Sequence, residues 1–492
     1  MKTLIKTILL LTTSLSINAL ADTPSAWPKQ LSYYDSMPFR GVNLSGAEFA
    51  PTAKPADQIT LIPTIEDGVP FAFAGMNTFR VPFAWEYLQP DLNGDFDLSY
   101  STALYNTIDS LLNQGAFVIV DMHDYMRYTK GDPSTNPQGS NQNIIGTPGN
   151  ASTTSYANAW AEIAKHFNNN PNTKNVIFDL MNEPHDMDSQ LALQNENAAI
   201  QAIRAIEGNG YHHLILIEGN AYSGMHSWNS SGNAQVFNST NIQDSANNYA
   251  INVHQYFDQN FSGSEYADCL PTDQLEQQLN LPDFVNFLNS NKLNAMVTEF
   301  GSKDSPTCRA DMARLLMDLQ QNAADGTRQG FIGWTAWSAG HAWGNYQLNL
   351  SYGGPAQGLM DNILSQFITK AGNLPYGLRI ASLKNNSNYT LQYSSSVGGF
   401  QTYTTGNIAP GQTAYIYTLS NGTWQKQQTQ ITYQITDQSG STTYFGFGLN
   451  NQGYGFFYPA TAFDGLILKK SSSCSLDKQI GYDSPCYEVD SN

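Results

Sequence analysis

Eight short apolar, β-branched runs recur between residues 39 and 340, and several of them turn polar only in their last residue or two. They are Phe39–Ser45, Thr78–Phe83, Ala116–His123, Val176–Glu183, Leu214–Asn220, Tyr249–Phe257, Leu293–Gly301 and Phe331–Ser338. Most of the gaps carry helical periodicity, as in Tyr156–Phe167 and Gln190–Ile206. Trp160-Ala161-Glu162-Ile163-Ala164-Lys165-His166-Phe167, for example, places its apolar residues on one helix face. A strand that is apolar throughout is buried on both faces, and parallel sheets achieve this by covering themselves with helices. Eight such strands alternating with helices predict an α/β fold, a closed parallel (β/α)8 TIM barrel with the polar run ends gathered at its C-terminal mouth.

At 492 residues the chain exceeds what one barrel needs. After about Pro375 the charge thins, and Asn, Ser, Thr, Gln, Gly and Tyr dominate. Alternating runs such as Tyr389–Tyr393 and Thr413–Tyr417 stand between turn signals such as Ala409-Pro410-Gly411 and Asn421-Gly422. This predicts a barrel domain over 31–372 and a smaller all-β, sandwich-like domain over 376–492. Residues 1–21 have the pattern of a secretory signal peptide. Lys2 and Lys6 precede the apolar Ile8–Leu11, and Ala19-Leu20-Ala21 offers a small-x-small cleavage site, so the mature protein is expected outside the cell.

Only 13% of residues are charged, and the formal net charge is −18. An acidic chain without basic clusters argues against nucleic acid and anionic membrane surfaces as partners and suits an uncharged substrate. Four cysteines agree with an oxidising compartment. Cys269 and Cys308 lie in the loops following two successive predicted strands and could meet at the barrel top, while Cys474 and Cys486 could close a terminal loop. No Cys-x-x-Cys or His-Glu-x-x-His spacing points to a metal, no Gly-x-Ser-x-Gly elbow to a serine hydrolase, and no Gly-Lys-Ser/Thr loop to a nucleotide.

Two runs deliver glutamates to their ends: Glu183, within Asn182-Glu183-Pro184, and Glu299, in Val297-Thr298-Glu299-Phe300-Gly301. Cleavage of a glycosidic bond with retention needs such a pair, one acid to protonate the leaving oxygen and one carboxylate about 5 Å away to attack the anomeric carbon. Glu183 is the candidate acid/base, Glu299 the candidate nucleophile, and Asn182 a candidate donor to the sugar 2-hydroxyl. Arg80 can hold the nucleophile ionised. His123, His254 and Tyr256 end their runs in the same mouth, and Tyr256 could donate to Glu299. No cofactor or metal is required by this chemistry.

The chain resembles glycoside hydrolase family 5, particularly its secreted endo-β-1,4-glucanases. The resemblance rests on Ile177–Pro184, Val297–Gly301, the opening Arg40–Phe49, Arg80–Pro90, Gly219-Asn220 with Trp228, and His254–Cys269, and it spans about residues 31–370. It implies site roles for Arg80, His123, Asn182, Glu183, His254, Tyr256 and Glu299, and for Trp337 as the ring under the sugar at the cleavage point. Trp228 and Trp343 are open between subsite platform and core, whereas Trp85 and Trp160 belong to packed elements. Asp124 departs from the family pattern, in which many members have Asn after the histidine; a carboxylate there bears on the pH profile or on a glucose hydroxyl contact. The expected activity is that of a monomeric, retaining endo-β-1,4-glucanase. Endo-β-mannanase and xyloglucanase are alternatives within the family, and a non-catalytic polysaccharide-binding protein is one outside it. The Tyr-rich C-terminal strands and Trp424 could form a polysaccharide-binding face or pack against the barrel.

Overall fold

The computed structural model describes residues 37–49, 59–129, 143–168, 171–264, 266–325 and 328–368, and towards the C-terminus 379–398, 401–403, 408–411, 413–419, 428–436, 442–450, 455–458, 466–470 and 486–491. Eight parallel strands close into a barrel in sequence order, the first pairing with both the second and the eighth. They are β1 (Phe39–Leu44), β2 (Thr78–Phe83), β3 (Phe117–Met122), β4 (Val176–Asp179), β5 (Leu214–Glu218), β6 (Tyr249–His254), β7 (Ala295–Glu299) and β8 (Phe331–Ala339). Helices over Ile65–Ala74, Leu98–Asn113, Thr153–Asn168, Ser189–Glu207, Leu281–Asn291 and Pro306–Gln321 lie between them in sequence. Several are capped as their sequences dictate. Asp97, Asp188 and Ser305 each accept main-chain N–H groups from the first turn that follows.

Alternation along each strand sorts the core into two layers. Val118, Val120, Phe178, Ile215, Ile217, Ile251 and Val297 belong to the large cluster shared with the helices. Their neighbours of opposite parity, among them Ile119, Ile177, Leu216, Ala250 and Met296, form a separate cluster that fills the barrel. Continuing that second parity two residues towards the C-terminal mouth gives Asp121, Asp179, Glu218, Asn252 and Thr298, all buried. The barrel is thus plugged with hydrocarbon below and floored with polar groups above.

Most of the apolar runs extend past the paired strands, because the polar residues that end them sit in the loops above the ladder. Glu183 is the clearest case. It lies four residues beyond β4 and takes the left-handed conformation, φ 45°. At β7 the register against β6 shifts, Val253 facing Val297 and His254 facing Glu299, so Thr298 is an extra residue. The bulge turns Thr298 and Glu299 towards the same side of the sheet.

For two side chains the structure decides what the sequence left open or placed differently. Trp228 is fully buried among Phe237, Phe284 and Phe287, with ring centroids 5.7–5.8 Å apart, so it is core and cannot stack on a sugar. Cys269 and Cys308 do form a disulfide, but Cys308 lies in the first turn of the Pro306–Gln321 helix rather than in a loop. Trp85 and Trp160 are buried as expected.

From Arg379 onward the described residues form two sheets. One orders the strands Gln392–Gly398, Gln428–Thr436, Thr442–Asn450 and Gly455–Tyr458, all antiparallel. The other orders Gln401–Tyr403, Thr413–Leu419, Arg379–Asn386, Cys486–Ser491 and Leu466–Lys470. The expectations for residues 1–21, Trp424, the Cys474–Cys486 pair and the domain boundary near residue 375 lie outside the described residues or side chains. No helix among the described residues is long and apolar enough to cross a membrane.

Close strand packing gives a direct test. A Cβ on Gly41 would fall 1.5 Å from the Thr78 carbonyl oxygen. Gly41→Ala is therefore expected to destabilise the barrel by at least the ~1–3 kcal/mol typical of overpacking, measured as a lower urea midpoint at unchanged slope.

Candidate active site

Arg80 stands at the centre of the polar floor with no solvent exposure. Its Nη1 donates to Glu299 Oε1 at 2.6 Å and to Asn43 Oδ1 at 3.0 Å. Its Nε donates to Asp179 Oδ2 at 2.8 Å, and Nη2 meets Asn182 Oδ1 at 2.8 Å and Asp121 Oδ2 at 3.0 Å. Glu218 Oε1 lies 3.6 Å from Nη2. One guanidinium cannot neutralise Asp121, Asp179, Glu218 and Glu299 together. Burial accordingly pushes the Asp179 carboxyl up to about 8 in spite of Arg80, with Glu218 and Asp121 adding to the rise.

Glu299 behaves differently. Burial alone would raise its pKa, but His254, Arg80 and His123, with a hydrogen bond from Tyr256, hold it below the usual glutamate range. The Tyr256 hydroxyl donates to Glu299 Oε2 at 2.8 Å. Both oxygens of Glu299 are thus engaged by donors, as an ionised carboxylate requires.

Glu183 faces Glu299 across a short gap. Its Oε1 is 2.7 Å from His254 Nδ1, which is itself 3.7 Å from Glu299 Oε2, and one carboxyl oxygen of each glutamate lies within 4.8 Å of the other. The Glu183 side chain keeps 15% exposure against 4% for Glu299. One carboxyl can therefore meet a leaving group arriving from solvent while the other stays fixed in the floor. Asn182 presents an Nδ2 that has no partner among the described residues, a donor available to a sugar hydroxyl.

The remaining predicted residues line the same mouth, except Trp228. His123 hydrogen-bonds Asp121 through Nδ1 at 2.8 Å and stacks near-parallel to Trp337, centroids 5.7 Å apart. Trp337 clusters with Tyr256 and Leu348, against which Trp343 and Tyr346 pack. Trp343 has one face stacked on Tyr346 at 4.2 Å. Asp124 is engaged by its neighbours: its Oδ2 accepts the Trp85 main-chain N–H at 2.7 Å, and its carboxyl hydrogen-bonds that of buried Glu86. Burial and the neighbouring Glu86 push it well above the carboxylate range.

Several residues of the floor escaped the sequence analysis. Asn43, Asp121, Asp179, Glu218, Asn252 and Thr298 each carry a signal that could have found them, a lone polar residue at an inward position of an otherwise apolar run. Tyr222 carried none. It is 47% exposed and stacks on His185 at 4.3 Å, held out by three successive left-handed residues, Ala221, Tyr222 and Ser223.

A model of the cellulase family (glycosyl hydrolase family 5) matches residues 42–342, well over half of the chain. The chain belongs to this family. Among its relatives, endoglucanase 1 of Robillarda sp. is 37% identical over 55% of this chain and 66% of its own length. Endo-beta-1,4-glucanase B of Emericella nidulans is 30% identical over 68% of this chain and 93% of its own. Among solved structures, an endo-beta-1,4-glucanase from Xanthomonas axonopodis pv. citri superposes with a TM-score of 0.57 at 30% identity, covering 67% of this chain and 98% of that one. A structure of XacCel5A in complex with cellopentaose gives 0.56 at 29% identity over 68% of this chain and 99% of that one.

In this family 5 protein the floor depends on the one guanidinium. Arg80→Met would strand its carboxylates and is expected to cost about 3–5 kcal/mol of folding stability, read from urea unfolding at neutral pH.

Proposed function

We propose that this protein is a retaining endo-β-1,4-glucanase in which Glu183 is the acid/base and Glu299 the nucleophile. The observation that carries the reading is the approach of the two carboxyls, an oxygen of Glu183 lying within 4.8 Å of an oxygen of Glu299. Retention fits pairs about 5–5.5 Å apart, whereas inversion needs about 6.5–9.5 Å to admit a water. The engagement of both Glu299 oxygens by Arg80 and Tyr256 supports the same assignment, because a nucleophile must be ionised and aimed before the sugar arrives.

In the first step Glu299 Oε attacks the anomeric carbon while Glu183 transfers its proton to the departing glycosidic oxygen. The C–O bond to the leaving chain breaks as the glycosyl–Glu299 ester forms. In the second step Glu183, now ionised, takes a proton from water, whose oxygen displaces Glu299 and restores the starting anomeric configuration. Asn182 Nδ2 is the free donor for the 2-hydroxyl, a bond that strengthens as charge builds at the ring. Trp337, at 8% exposure, supplies the apolar wall under the sugar at the cleavage point, and Tyr222 a second ring on the Glu183 side.

The β-glucan substrate is supported by the printed activities of the relatives and by the cellopentaose bound to XacCel5A. Secretion after cleavage near Ala21 is supported by the residue pattern over 1–21 and by the Cys269–Cys308 disulfide. The strands beyond Arg379 support a separate all-β domain over 376–492, following a catalytic domain over 31–372.

Glu183→Gln and Glu299→Gln should each lower turnover on carboxymethylcellulose by at least about 10²-fold while leaving the circular dichroism unchanged. Azide added to Glu299→Ala should yield the α-glycosyl azide, and added to Glu183→Ala the β-glycosyl azide. The opposite pairing would exchange the two roles. Rapid viscosity loss on carboxymethylcellulose and mixed-linkage glucan, but not on galactomannan, is the result expected of an endo-glucanase; activity on galactomannan alone would move the substrate to mannan.

A further inference from the structure

Behind the two glutamates stands a third, Glu218, at the end of β5, fully buried and without a part in the chemistry described above. Its Oε2 accepts the main-chain N–H of Glu183 at 2.8 Å. Its Oε1 accepts from Asn252 Nδ2 at 2.7 Å and lies 3.3 Å from His254 Nε2. Glu218 therefore touches the proposed acid/base by two routes, through its backbone and through the histidine that bonds its carboxyl.

Hydrogen-bond polarity decides what the second route does. Asn252 Nδ2 lies against oxygens of Asp179 and Glu218, which orients its Oδ1 towards Thr298. The Thr298 hydroxyl donates to that Oδ1 at 2.6 Å, so its hydrogen is spent. Thr298 Oγ1 can then only accept from His254 Nε2, 3.1 Å away, and Glu218 Oε1 is a second acceptor on the same nitrogen. Nε2 must carry a hydrogen. The position of the remaining proton is then confined to the 2.7 Å bond between His254 Nδ1 and Glu183 Oε1.

We propose that Glu218 is a positioning residue for the acid/base, fixing the left-handed main chain of Glu183 and, with Thr298, keeping a hydrogen on His254 Nε2 so that Nδ1 and Glu183 exchange one mobile proton. This rests on the reading of Glu183 as acid/base. When Glu183 gives its proton to the leaving oxygen, His254 remains neutral with Nε2–H in place, and the proton that Glu183 later takes from water restores the starting state. Burial alone would lower the His254 pKa, but Glu218 and Glu299, with hydrogen bonds to Glu183 and Glu218, raise it well above the usual histidine value, which keeps the shared proton on the His254–Glu183 pair until a leaving group arrives. Glu218 is faced by Arg80 from β2, Asp121 from β3, Asp179 from β4, Glu196 from the Ser189–Glu207 helix and His254 from β6, with Glu299 of β7 beyond His254. All of these persist when Glu218 alone is changed.

In Glu218→Gln the amide can donate to Nε2, which would move the hydrogen to Nδ1 and hold Glu183 ionised. Acid catalysis is needed for a poor leaving group and not for an activated one, so kcat/KM is measured for cellotetraose and for 2,4-dinitrophenyl β-cellobioside, with Glu183→Ala in parallel. The expected result is a loss of about 30-fold or more on cellotetraose, a loss within about threefold on the aryl glycoside, and an alkaline limb displaced to lower pH. Equal losses on both substrates, or no loss, in a Glu218→Gln protein beside a leaving-group-dependent Glu183→Ala would overturn the proposal and leave the acid/base assignment standing. A Glu183→Ala protein equally impaired on both substrates would overturn that assignment and the proposal with it. Should Glu218→Gln fail to fold, Glu218→Asp, whose shorter side chain withdraws the carboxylate from the Glu183 N–H and from His254 Nε2, is measured in its place, and the same leaving-group contrast decides.

Discussion

A single buried guanidinium organises the mouth of this barrel. Arg80 touches strands β3, β4, β5 and β7 through Asp121, Asp179, Glu218 and Glu299, and bonds Asn43 of β1 as well. Taking a cation and several carboxylates out of water is expensive, and mutual attraction offsets the cost only where geometry and remaining hydrogen bonds are close to complete. Here Asn43, Asn182, Asn252 and Tyr256 engage oxygens or N–H groups that the ion pairs leave over, while Asp121 Oδ1 and Asn182 Nδ2 find no partner among the described residues. The apolar layers inside the barrel and between it and the helices supply the burial that supports this polar floor.

The floor divides its carboxyls by environment. Glu299 is held down by His254 and Arg80 together with a phenol hydroxyl, while Asp179, which shares Arg80 and lacks a second cation, is pushed up to about 8. Two carboxyls of one floor, on β4 and β7, are thus shifted in opposite directions. Such separation distinguishes a candidate nucleophile from its supporting groups by environment.

Local geometry strained against propensity is concentrated at the same place. Glu183 sits at φ 45°, as do Asp186 and the Ala221–Ser223 run at similar values, and β7 gains an extra residue at Thr298. A non-glycine residue in the left-handed region costs of order 1–3 kcal/mol, and persists only where its surroundings over-determine it. For Glu183 those surroundings are visible: its N–H bonds Glu218 and its carboxyl bonds His254. The bulge performs a related task, because without it strict alternation would send Glu299 into the helix layer with Val297.

The barrel was legible in the chain because strands buried on both faces leave continuous apolar runs, and the polar residues ending Val176–Glu183 and Leu293–Gly301 announced the mouth. The type and number of strands, the two glutamates and the partners Arg80, His254 and Tyr256 follow from that pattern and from the family resemblance. Other features depend on distances between remote segments. Trp228 looks the same in sequence whether it faces a sugar or three phenylalanines, and the fold put it among Phe237, Phe284 and Phe287. Asp124 reads as a cleft carboxylate, yet Trp85 and Glu86 draw it inward. Periodicity records which residues must leave water, and so the sequence by itself determined the barrel and the candidate residues at its mouth. Which carboxyl carries a charge, which holds a proton and which rings a sugar can reach were decided only by tertiary structure, since burial and electrostatics are set by neighbours that the closed sheet brings from every part of the chain.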